Sequence, residues 1–306
     1  MPHFLGIDGG GSKTTCLLGD ETVVLAGSSA PGSNPIRVGE ARSRQALHAA
    51  VREACAAAQV QPSQIARTCI GLAGAARPPI EKQVRAVLAE LLGGEIEVAG
   101  DMAVALEAAF RGGPGLIVIA GTGSIAYGRN ERGETSRAGG WGFAISDEGS
   151  GHWIGRAAVA AAMRAHDLGE NSVLISSIMN TWHLGSRDDV VRAANAVPPP
   201  DFAELFPLVL ASAASGDSRA SEILTQAAME LAQLARIVAE RLWRGQQMFR
   251  VAITGGVFQN SPLVRQVFGN SVRSLHPQAQ IESKAVEPAE GALWLARRKV
   301  VLPVGS

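Results

Sequence analysis

The feature that most constrains the fold of this chain is a run of three glycines between two apolar segments near its start. Residues 4–8 are typical of a buried strand, and residues 14–18 and 22–25 are β-branched and apolar, which predicts a hairpin directly after the glycines. Glycines allow backbone N–H groups to approach an anion closely, so the turn is typical of a phosphate site. A P-loop would continue into a helix, and the hairpin therefore argues against that motif and against a dinucleotide-binding fold.

Composition limits the class of protein. The chain has 306 residues, of which 46% are hydrophobic and 18% charged, so we expect a globular protein with one large or two medium domains. Its 28 basic residues balance its 28 acidic residues, and we expect no nucleic-acid partner. No apolar run approaches the ~20 residues of a membrane span, and a strand begins too early for a targeting segment. The cysteines, which have no metal-ligand spacing, predict buried thiols and a cytoplasmic protein without a membrane partner.

Strands and helices alternate along the chain, which predicts a mostly parallel sheet with helices on its faces. The segment 112–115 is rich in glycine, so we expect a first domain of residues 1–113 and a second of residues 114–306. The last predicted helix, about residues 287–300, is a candidate to pack back toward the first domain. A second strand and glycine turn repeat the opening theme at an offset of 112 residues, which pairs position 11 with position 123 and indicates an internal duplication.

The two glycine turns predict a nucleotide held between the two domains, with backbone N–H groups donating to phosphate oxygens. Asp8 precedes the first turn, whereas Ala120 holds the corresponding position before the second. A carboxylate beside phosphates implies a cation between them, so Asp8 is a candidate ligand of Mg²⁺. The alternative is a turn aspartate that caps its own backbone. Lys13 could neutralise phosphate charge or be an exposed hairpin lysine. Further donors could come from the hydroxyl groups of Ser12, Thr14, Thr122 and Ser124.

Asp101 lies between a predicted strand and a predicted apolar helix. An aspartate at such a position is common as a helix cap. The functional alternative is a general base that accepts a hydroxyl proton during phosphoryl transfer. A base of this kind is expected at the carboxyl edge of the sheet, where Asp101 is the best-placed candidate in the first half.

A second glycine-dense segment covers residues 137–151 and runs into a helix. Its glycines let backbone amides reach a ligand, Trp141 offers a flat apolar face, and Asp147 and Glu148 can accept hydroxyl hydrogen bonds. This mixture is typical of a sugar site. Trp141 could equally be a core residue in a tight turn, and Glu148 a charge at a helix N-terminus.

Together these motifs resemble the BadF/BadG/BcrA/BcrD-type ATPase family and, within it, the N-acetylglucosamine and glucosamine kinases of the actin-like superfamily. The resemblance covers nearly the whole chain and is carried by residues 6–14, 32–34, 100–101, 119–124, 139–142, 146–151, 253–258 and 287–292. It implies an α/β fold of two ribonuclease-H-like (actin-like ATPase) domains around a central cleft, with the C-terminal domain enlarged by helices. It also implies ATP and Mg²⁺ as cofactors, and we expect a homodimer.

The activity that the resemblance implies is phosphorylation of N-acetyl-D-glucosamine at its 6-hydroxyl group, with Asp101 as the general base. The candidate nucleotide-binding positions include several residues discussed above. They are Asp8, Gly9, Gly10, Gly11, Ser12, Lys13, Gly121, Thr122, Gly123, Gly255, Gly256 and Asn260. The candidate sugar-binding positions are Asn34, Asp101, Ser124, Gly140, Trp141, Gly142 and Asp147.

Three further functions are compatible with the sequence. The first is a glucosamine kinase, because a free ammonium group would favour a carboxylate near the sugar C2, whereas an acetamide group needs an apolar pocket. The second is an ATPase that activates an iron–sulfur enzyme, for which Cys16, Cys55 and Cys69 are badly spaced. The third is a non-catalytic sugar sensor, for which no basic DNA-binding extension is visible.

Overall fold

The computed structural model describes residues 1–75, 77–170, 172–244 and 248–298. The chain divides into two compact units: the first comprises Met1–Pro114 and the C-terminal segment from Val286, and the second comprises Gly115–Ala285. The predicted domains, 1–113 and 114–306, differ from this division at the C-terminus, because residues 286–298 belong with the first unit. Residues 299–300, the end of the last predicted helix, lie outside the described residues.

Ten strands and twelve α-helices occur in the described ranges. The strands are β1 (His3–Gly9), β2 (Lys13–Gly19), β3 (Val24–Pro31), β4 (Ile65–Leu72), β5 (Glu95–Gly100), β6 (Gly115–Ala120), β7 (Ser124–Arg129), β8 (Thr135–Gly139), β9 (Arg250–Thr254) and β10 (Gln280–Ala285). The helices are α1 (Pro35–Val38), α2 (Glu40–Ala58), α3 (Pro78–Ala89), α4 (Asp101–Phe110), α5 (Gly151–Asp167), α6 (Val173–Thr181), α7 (Arg187–Ala194), α8 (Phe206–Ala214), α9 (Ser218–Leu242), α10 (Gly256–Asn260), α11 (Pro262–Leu275) and α12 (Pro288–Arg297).

Each unit contains a five-stranded sheet, in the order β3-β2-β1-β4-β5 in the first and β8-β7-β6-β9-β10 in the second. In both sheets the first three strands pair antiparallel, and the last two continue parallel to the central strand. The two sheets therefore have the same topology, which confirms the predicted duplication. Five helices, α5 to α9, lie between β8 and β9, so the predicted enlargement of the C-terminal half by helices is also confirmed.

The offset of 112 residues does not hold beyond the second turn. It would carry the pair Gly9–Thr14 of the first hairpin to Gly121 and Ala126, but Ala126 pairs with Val118. The reason is the length of the turn, since three residues separate the last pair of the second hairpin, Ala120 and Ser124, and four separate the last pair of the first.

The core of the first unit forms where apolar strand residues meet the apolar faces of helices. Leu5 and Ile7 of β1 are fully buried, as are Leu47 and Val51 of α2. Helix α2 begins at residue 40, because Gly39 ends α1 with a φ of 80°, a conformation that favours glycine. None of the helices in the described part of the chain combines the length and apolar character that a membrane span needs.

Two glycines allow α12 to pack against the rest of the first unit at short range. A β-carbon added at Gly6 in β1 would overlap the backbone of α12 at Ala289 and Leu293. A β-carbon added at Gly291 in α12 would overlap the carbonyl oxygen of Val104 in α4. The start of α12 is thereby held beside the carboxyl end of β1 and the start of α4.

This packing gives a testable prediction for Gly291→Ala. Alanine in place of glycine normally stabilises a helix interior by about 1 kcal/mol. At Gly291 we expect the opposite, a loss of about 1–3 kcal/mol in the free energy of unfolding, because the new methyl group must displace backbone atoms of α4. Urea unfolding followed by circular dichroism measures the change.

The matched control is Gly269→Ala in the interior of α11, where the added carbon would meet only the mobile end of Arg273. We expect Gly269→Ala to leave the free energy of unfolding unchanged or to raise it. Equal effects of the two substitutions would contradict the close contact between α12 and α4.

Candidate active site

The carboxyl ends of three parallel strands meet at one edge of the first sheet. Strands β1, β4 and β5 run parallel, with Asp8 paired to Gly71 and Leu72 paired to Gly100. Asp101 follows β5 directly as the first residue of α4. Asp8 and Asp101, which are distant in sequence, therefore lie at the same edge of the first unit.

The first glycine turn is a compact structure closed by its own backbone. The Gly10 N–H donates to the Lys13 carbonyl at 3.0 Å, and the Gly10 carbonyl accepts from Ser33 at 3.0 Å and from Asn34 at 3.2 Å. A β-carbon at Gly32 would overlap the carbonyl group of Gly11, so two strands of backbone touch here. The Thr14 hydroxyl, a candidate phosphate donor, is instead buried and donates to the Pro31 carbonyl at 2.8 Å.

Asp8 lies in β1 and is not a turn residue, so its proposed role as a cap of its own turn is wrong. Burial raises the pKa of Asp8 to about 7, and the nearby carboxylates of Glu287 and Asp101 raise it while Lys13 lowers it. A carboxylate in this environment is costly to ionise without a cation beside it. Such a group fits a metal ligand better than a structural aspartate.

Asp101 is also partly buried, and burial raises its pKa, whereas the N–H of Met102, which donates to Oδ1 at 2.9 Å, lowers it. Gly100, not Asp101, occupies the N-cap position of α4, and Asp101 is the first residue of the helix, where its carboxylate accepts from a first-turn N–H. A carboxylate whose pKa is raised toward neutrality is a better proton acceptor than an ordinary aspartate.

Glu287 is a member of this acidic group that the sequence did not single out as a site residue. It occupies the N-cap position of α12 and lies close enough to Asp8 to raise its pKa. Burial raises the pKa of Glu287 itself, and Lys13 lowers it. Lys13 is exposed at the start of β2, and its charge acts on both Asp8 and Glu287. The signal in the sequence is the motif at residues 287–292, which carries part of the family resemblance.

These residues fit a magnesium site in which phosphate oxygens of the substrate supply the remaining ligands. Mg²⁺ in kinase sites is usually held by one or two carboxylates together with phosphate oxygens. Asp8 and Glu287 offer two partly buried carboxylates with raised pKa values beside a glycine turn. In the described ranges, no group of three or more histidine, cysteine or acidic side chains is arranged to hold a metal by itself.

Asn34 serves mainly to hold the backbone near the first turn. Its side-chain oxygen accepts from the Ile36 N–H at 3.1 Å as the cap of α1, and its amide nitrogen donates to the Ala73 carbonyl at 3.1 Å. The side chain is buried. A contact between Asn34 and a sugar stays a prediction.

In the second unit, the second glycine turn is bonded to the start of α5. The Gly151 N–H donates to the Gly121 carbonyl at 2.8 Å, and the His152 N–H donates to the Thr122 carbonyl at 3.3 Å. The first N–H groups of α5 are therefore used to hold the turn. A β-carbon at Gly255, whose φ is 100°, would overlap the carbonyl of Ala120, which brings Gly255 beside this turn.

Candidate sugar residues surround the same turn. Asp147 accepts from the Ser124 N–H at 3.3 Å, and the Ser124 hydroxyl donates to the Glu148 carbonyl at 2.7 Å. Both Asp147 and Ser124 are buried. The Asn260 side chain bonds within its own helix, since its amide nitrogen donates to the Gly256 carbonyl at 2.8 Å in α10.

Trp141 is not a core residue, so the alternative that it packs in the core of a tight turn does not hold. Its side chain is 61% exposed and lies under the guanidinium of Arg137, whose Cζ is 4.0 Å from the ring centroid. Gly140 and Gly142 on either side have φ values of 70° and 94°, which favour glycine and set the path of the loop. The loop therefore presents Trp141 on the surface of the second unit, as a ligand-binding aromatic residue requires.

Within the first unit, the structure groups Asp8, Asp101, Lys13 and the turn of Gly9, Gly10, Gly11 and Ser12. Within the second unit, it groups the turn of Gly121, Thr122 and Gly123 with Ser124, Asp147, the loop of Gly140, Trp141 and Gly142, and the neighbouring Gly255 and Gly256. Asn34 joins the first group through its backbone N–H, which donates to the Gly10 carbonyl, so each candidate position belongs to one of two local clusters, except Asn260, which bonds within its own helix.

The comparisons with known proteins agree with the fold. The chain matches the model of the "BadF/BadG/BcrA/BcrD ATPase family" over residues 5–296. It is 33% identical to the N-acetylmuramic acid/N-acetylglucosamine kinase of Clostridium acetobutylicum, with 97% of this chain and 99% of the relative covered. It is 29% identical to the N-acetyl-D-glucosamine kinase of Dictyostelium discoideum, with 96% and 97% covered.

A solved structure from Chromobacterium violaceum, named as a candidate N-acetylglucosamine kinase, is also similar. It is 27% identical, covers 97% of this chain and 99% of its own, and superposes with a TM-score of 0.77. The fold class predicted from the sequence, α/β with two ribonuclease-H-like units, is confirmed.

The environment of Asp8 gives a prediction about pH. Because the pKa of Asp8 is raised from 3.8 to about 7, the folded state binds its proton more tightly than the unfolded state does. The stability that this proton provides is complete below pH 4 and is lost as the pH rises through 7. In magnesium-free buffer, we expect Asp8→Asn to be more stable than wild type by about 2–4 kcal/mol at pH 8 and by much less at pH 5.

Urea unfolding at the two pH values measures this difference. Asp20→Asn is the control, since Asp20 is a partly exposed aspartate whose pKa is lowered, and its effect should not change between pH 5 and pH 8. A gain in stability for Asp8→Asn that is the same at both pH values would contradict the raised pKa.

Proposed function

The chain belongs to the BadF/BadG/BcrA/BcrD ATPase family, and from this premise we propose that it phosphorylates N-acetyl-D-glucosamine at the 6-hydroxyl group with ATP. At the coarser level, the chain is an ATP-dependent sugar kinase. The observation that carries the finer proposal is the edge of the first unit, where Asp101, with a raised pKa, lies beside Asp8 and a glycine turn. Phosphoryl transfer needs little from a protein beyond charge neutralisation, positioning and one proton acceptor, and this edge offers all three.

The proton acceptor in this proposal is Asp101. Its carboxylate accepts the proton of the sugar 6-hydroxyl as that oxygen bonds to the γ-phosphorus of ATP and the bond to the β-phosphate oxygen breaks, leaving ADP. The raised pKa of Asp101 strengthens its affinity for the proton at the moment of transfer. The N–H of Met102 holds the carboxylate in position.

Asp8 and Glu287 are the residues that would hold Mg²⁺. When bound, the ion would neutralise charge on the β- and γ-phosphates. Lys13 adds a positive charge next to both carboxylates. We assign phosphate binding to the backbone of the two turns, formed by Gly9, Gly10, Gly11 and Ser12 in the first unit and by Gly121, Thr122 and Gly123 in the second. The adenosine side is assigned to Gly255, Gly256 and Asn260.

Sugar binding is assigned to the loop of Gly140, Trp141 and Gly142, with Asn34, Ser124 and Asp147. The internal hydrogen bonds of Asp147 and Asn34 support a second role for these two side chains, which is to hold the loops to which sugar binding is assigned. Glucosamine as the preferred substrate is the second candidate. The exposed apolar side chains of the loop favour an N-acetyl group over a free ammonium group, which would be better served by an exposed carboxylate.

Activation of an iron–sulfur enzyme finds less support. Cys16, Cys55 and Cys69 are buried, and burial raises their thiol pKa values, so these side chains are poor ligands for an iron–sulfur cluster. The homodimer, the cytoplasmic location and the expectation of no nucleic-acid or membrane partner stay predictions.

The direct test is ADP formation by the purified protein with a panel of sugars. The panel contains glucose, glucosamine, N-acetylglucosamine and N-acetylmannosamine, each with ATP and Mg²⁺. We expect the highest kcat/KM for N-acetylglucosamine, and a ³¹P NMR spectrum of the product should identify the 6-phosphate. The absence of sugar-stimulated ADP formation with all four sugars would contradict the proposal.

The role of Asp101 predicts that Asp101→Asn lowers kcat by about 100-fold or more, because the proton acceptor is lost while the hydrogen-bonding shape is kept. The KM for the sugar should change little. Steady-state kinetics with N-acetylglucosamine measures both constants.

Asp167→Asn, at the exposed end of α5, is the matched control and should retain wild-type kcat. If Asp101→Asn keeps more than about a tenth of the wild-type kcat, Asp101 is not the general base.

A further inference from the structure

The loop of residues 140–146 exposes a second aromatic side chain beside Trp141. Phe143 is 44% exposed, and Ile145, two positions further on, is 78% exposed. Trp141, Phe143 and Ile145 thus place three exposed apolar side chains at every second position of one short loop in the second unit. Exposed apolar groups that cluster beside a binding site commonly form part of that site.

One face of Phe143 is fixed by a series of ring contacts that leads into the core. Its ring lies 4.8 Å from that of His152, the His152 ring lies 5.2 Å from that of Phe202, and Phe202 lies 5.5 Å from Trp182. His152 and Phe202 are buried. Phe143 is therefore held on a rigid support and keeps its other face exposed.

This support is also tied to the second glycine turn. The backbone N–H of His152 donates to the carbonyl of Thr122, a proposed phosphate-binding residue. Phe143 therefore lies close to the turn, because its ring contacts that of His152, whose backbone is hydrogen-bonded to the turn.

The two acidic residues that follow this loop take part in hydrogen bonds within the protein. Asp147 is buried and accepts from the Ser124 N–H, and the Glu148 carboxylate accepts from the Ser146 hydroxyl at 3.1 Å. The exposed part of the loop is consequently apolar. An apolar surface fits the methyl group of an acyl substituent and disfavours a charged ammonium group.

We propose that Phe143 determines the preference for N-acylated over free amino sugars, by packing its exposed face against the methyl group of the N-acyl substituent. This inference rests on the proposed function and deepens it, since it names the substrate class. Phe143 acts on the non-reacting part of the sugar and takes no part in the transfer of the phosphoryl group.

The test compares kcat/KM for N-acetylglucosamine and for glucosamine in wild type and Phe143→Ala. We expect a loss of about 10-fold or more with N-acetylglucosamine, the size of effect typical of one apolar group in a pocket, and less than about threefold with glucosamine. Phe143→Leu keeps an apolar surface and should retain most of the preference. Val191→Ala is the matched control, because Val191 in α7 is also 44% exposed and should leave both constants unchanged.

Equal losses with both sugars in Phe143→Ala would overturn the proposal and assign Phe143 to support of the loop alone. Unchanged constants would overturn it as well. Thermal unfolding of each variant shows whether any loss comes from misfolding, and Phe143→Leu then decides the question.

A binding measurement separates this proposal from the proposed function. Saturation-transfer NMR detects contact between the protein and the acetyl methyl protons of N-acetylglucosamine without any turnover. We expect a strong methyl signal with wild type that falls several-fold with Phe143→Ala. If no sugar is phosphorylated, the proposed function fails, and the same NMR comparison still supports or overturns the role of Phe143.

Discussion

The close packing of α12 against β1 and α4 is the constraint on which the first unit depends. Gly6 and Gly291 lack side chains at the points where backbones meet, so the C-terminal helix can return to the first sheet. This packing brings Glu287 to the edge where Asp8 and Asp101 lie. The carboxylates repel one another and are partly buried, which lowers the free energy of unfolding. The same arrangement suits a cation and a proton acceptor.

The second unit has the same sheet topology as the first but different side chains around its glycine turn. Its sheet has the same strand order, but Ala120 replaces the aspartate, and its turn is fixed by the first N–H groups of α5 and by Asp147. The glycine-rich loop near this turn exposes the aromatic side chains of Trp141 and Phe143. Two units of the same topology thus carry different side chains: the acidic group of the first is assigned to phosphoryl transfer, and the loop with Trp141 in the second is assigned to the sugar.

The sequence predicted the elements whose pattern is local. The hairpin after Gly9–Gly11 and the alternation of strands and helices are both present, although β3 runs to Pro31, six residues past the predicted end at residue 25. It missed β8 and β10, edge strands with many exposed polar residues that form because a neighbouring strand supplies hydrogen bonds. It also missed the role of Glu287, because only the packing of α12 brings residues 8 and 287 together. Trp141 could not be classified from the sequence, since exposure depends on the fold of its loop.

If Asp8 holds Mg²⁺ as proposed, the ion would displace the proton that the raised pKa of Asp8 retains. Calorimetric titration of the protein with Mg²⁺ and a non-hydrolysable ATP analogue, in buffers of different ionisation enthalpy, counts the protons released. At pH 7, after correction for the nucleotide alone, we predict release of roughly half a proton by wild type, because the pKa of Asp8 is about 7, and almost none by Asp8→Asn. The same release by both proteins would contradict the claim.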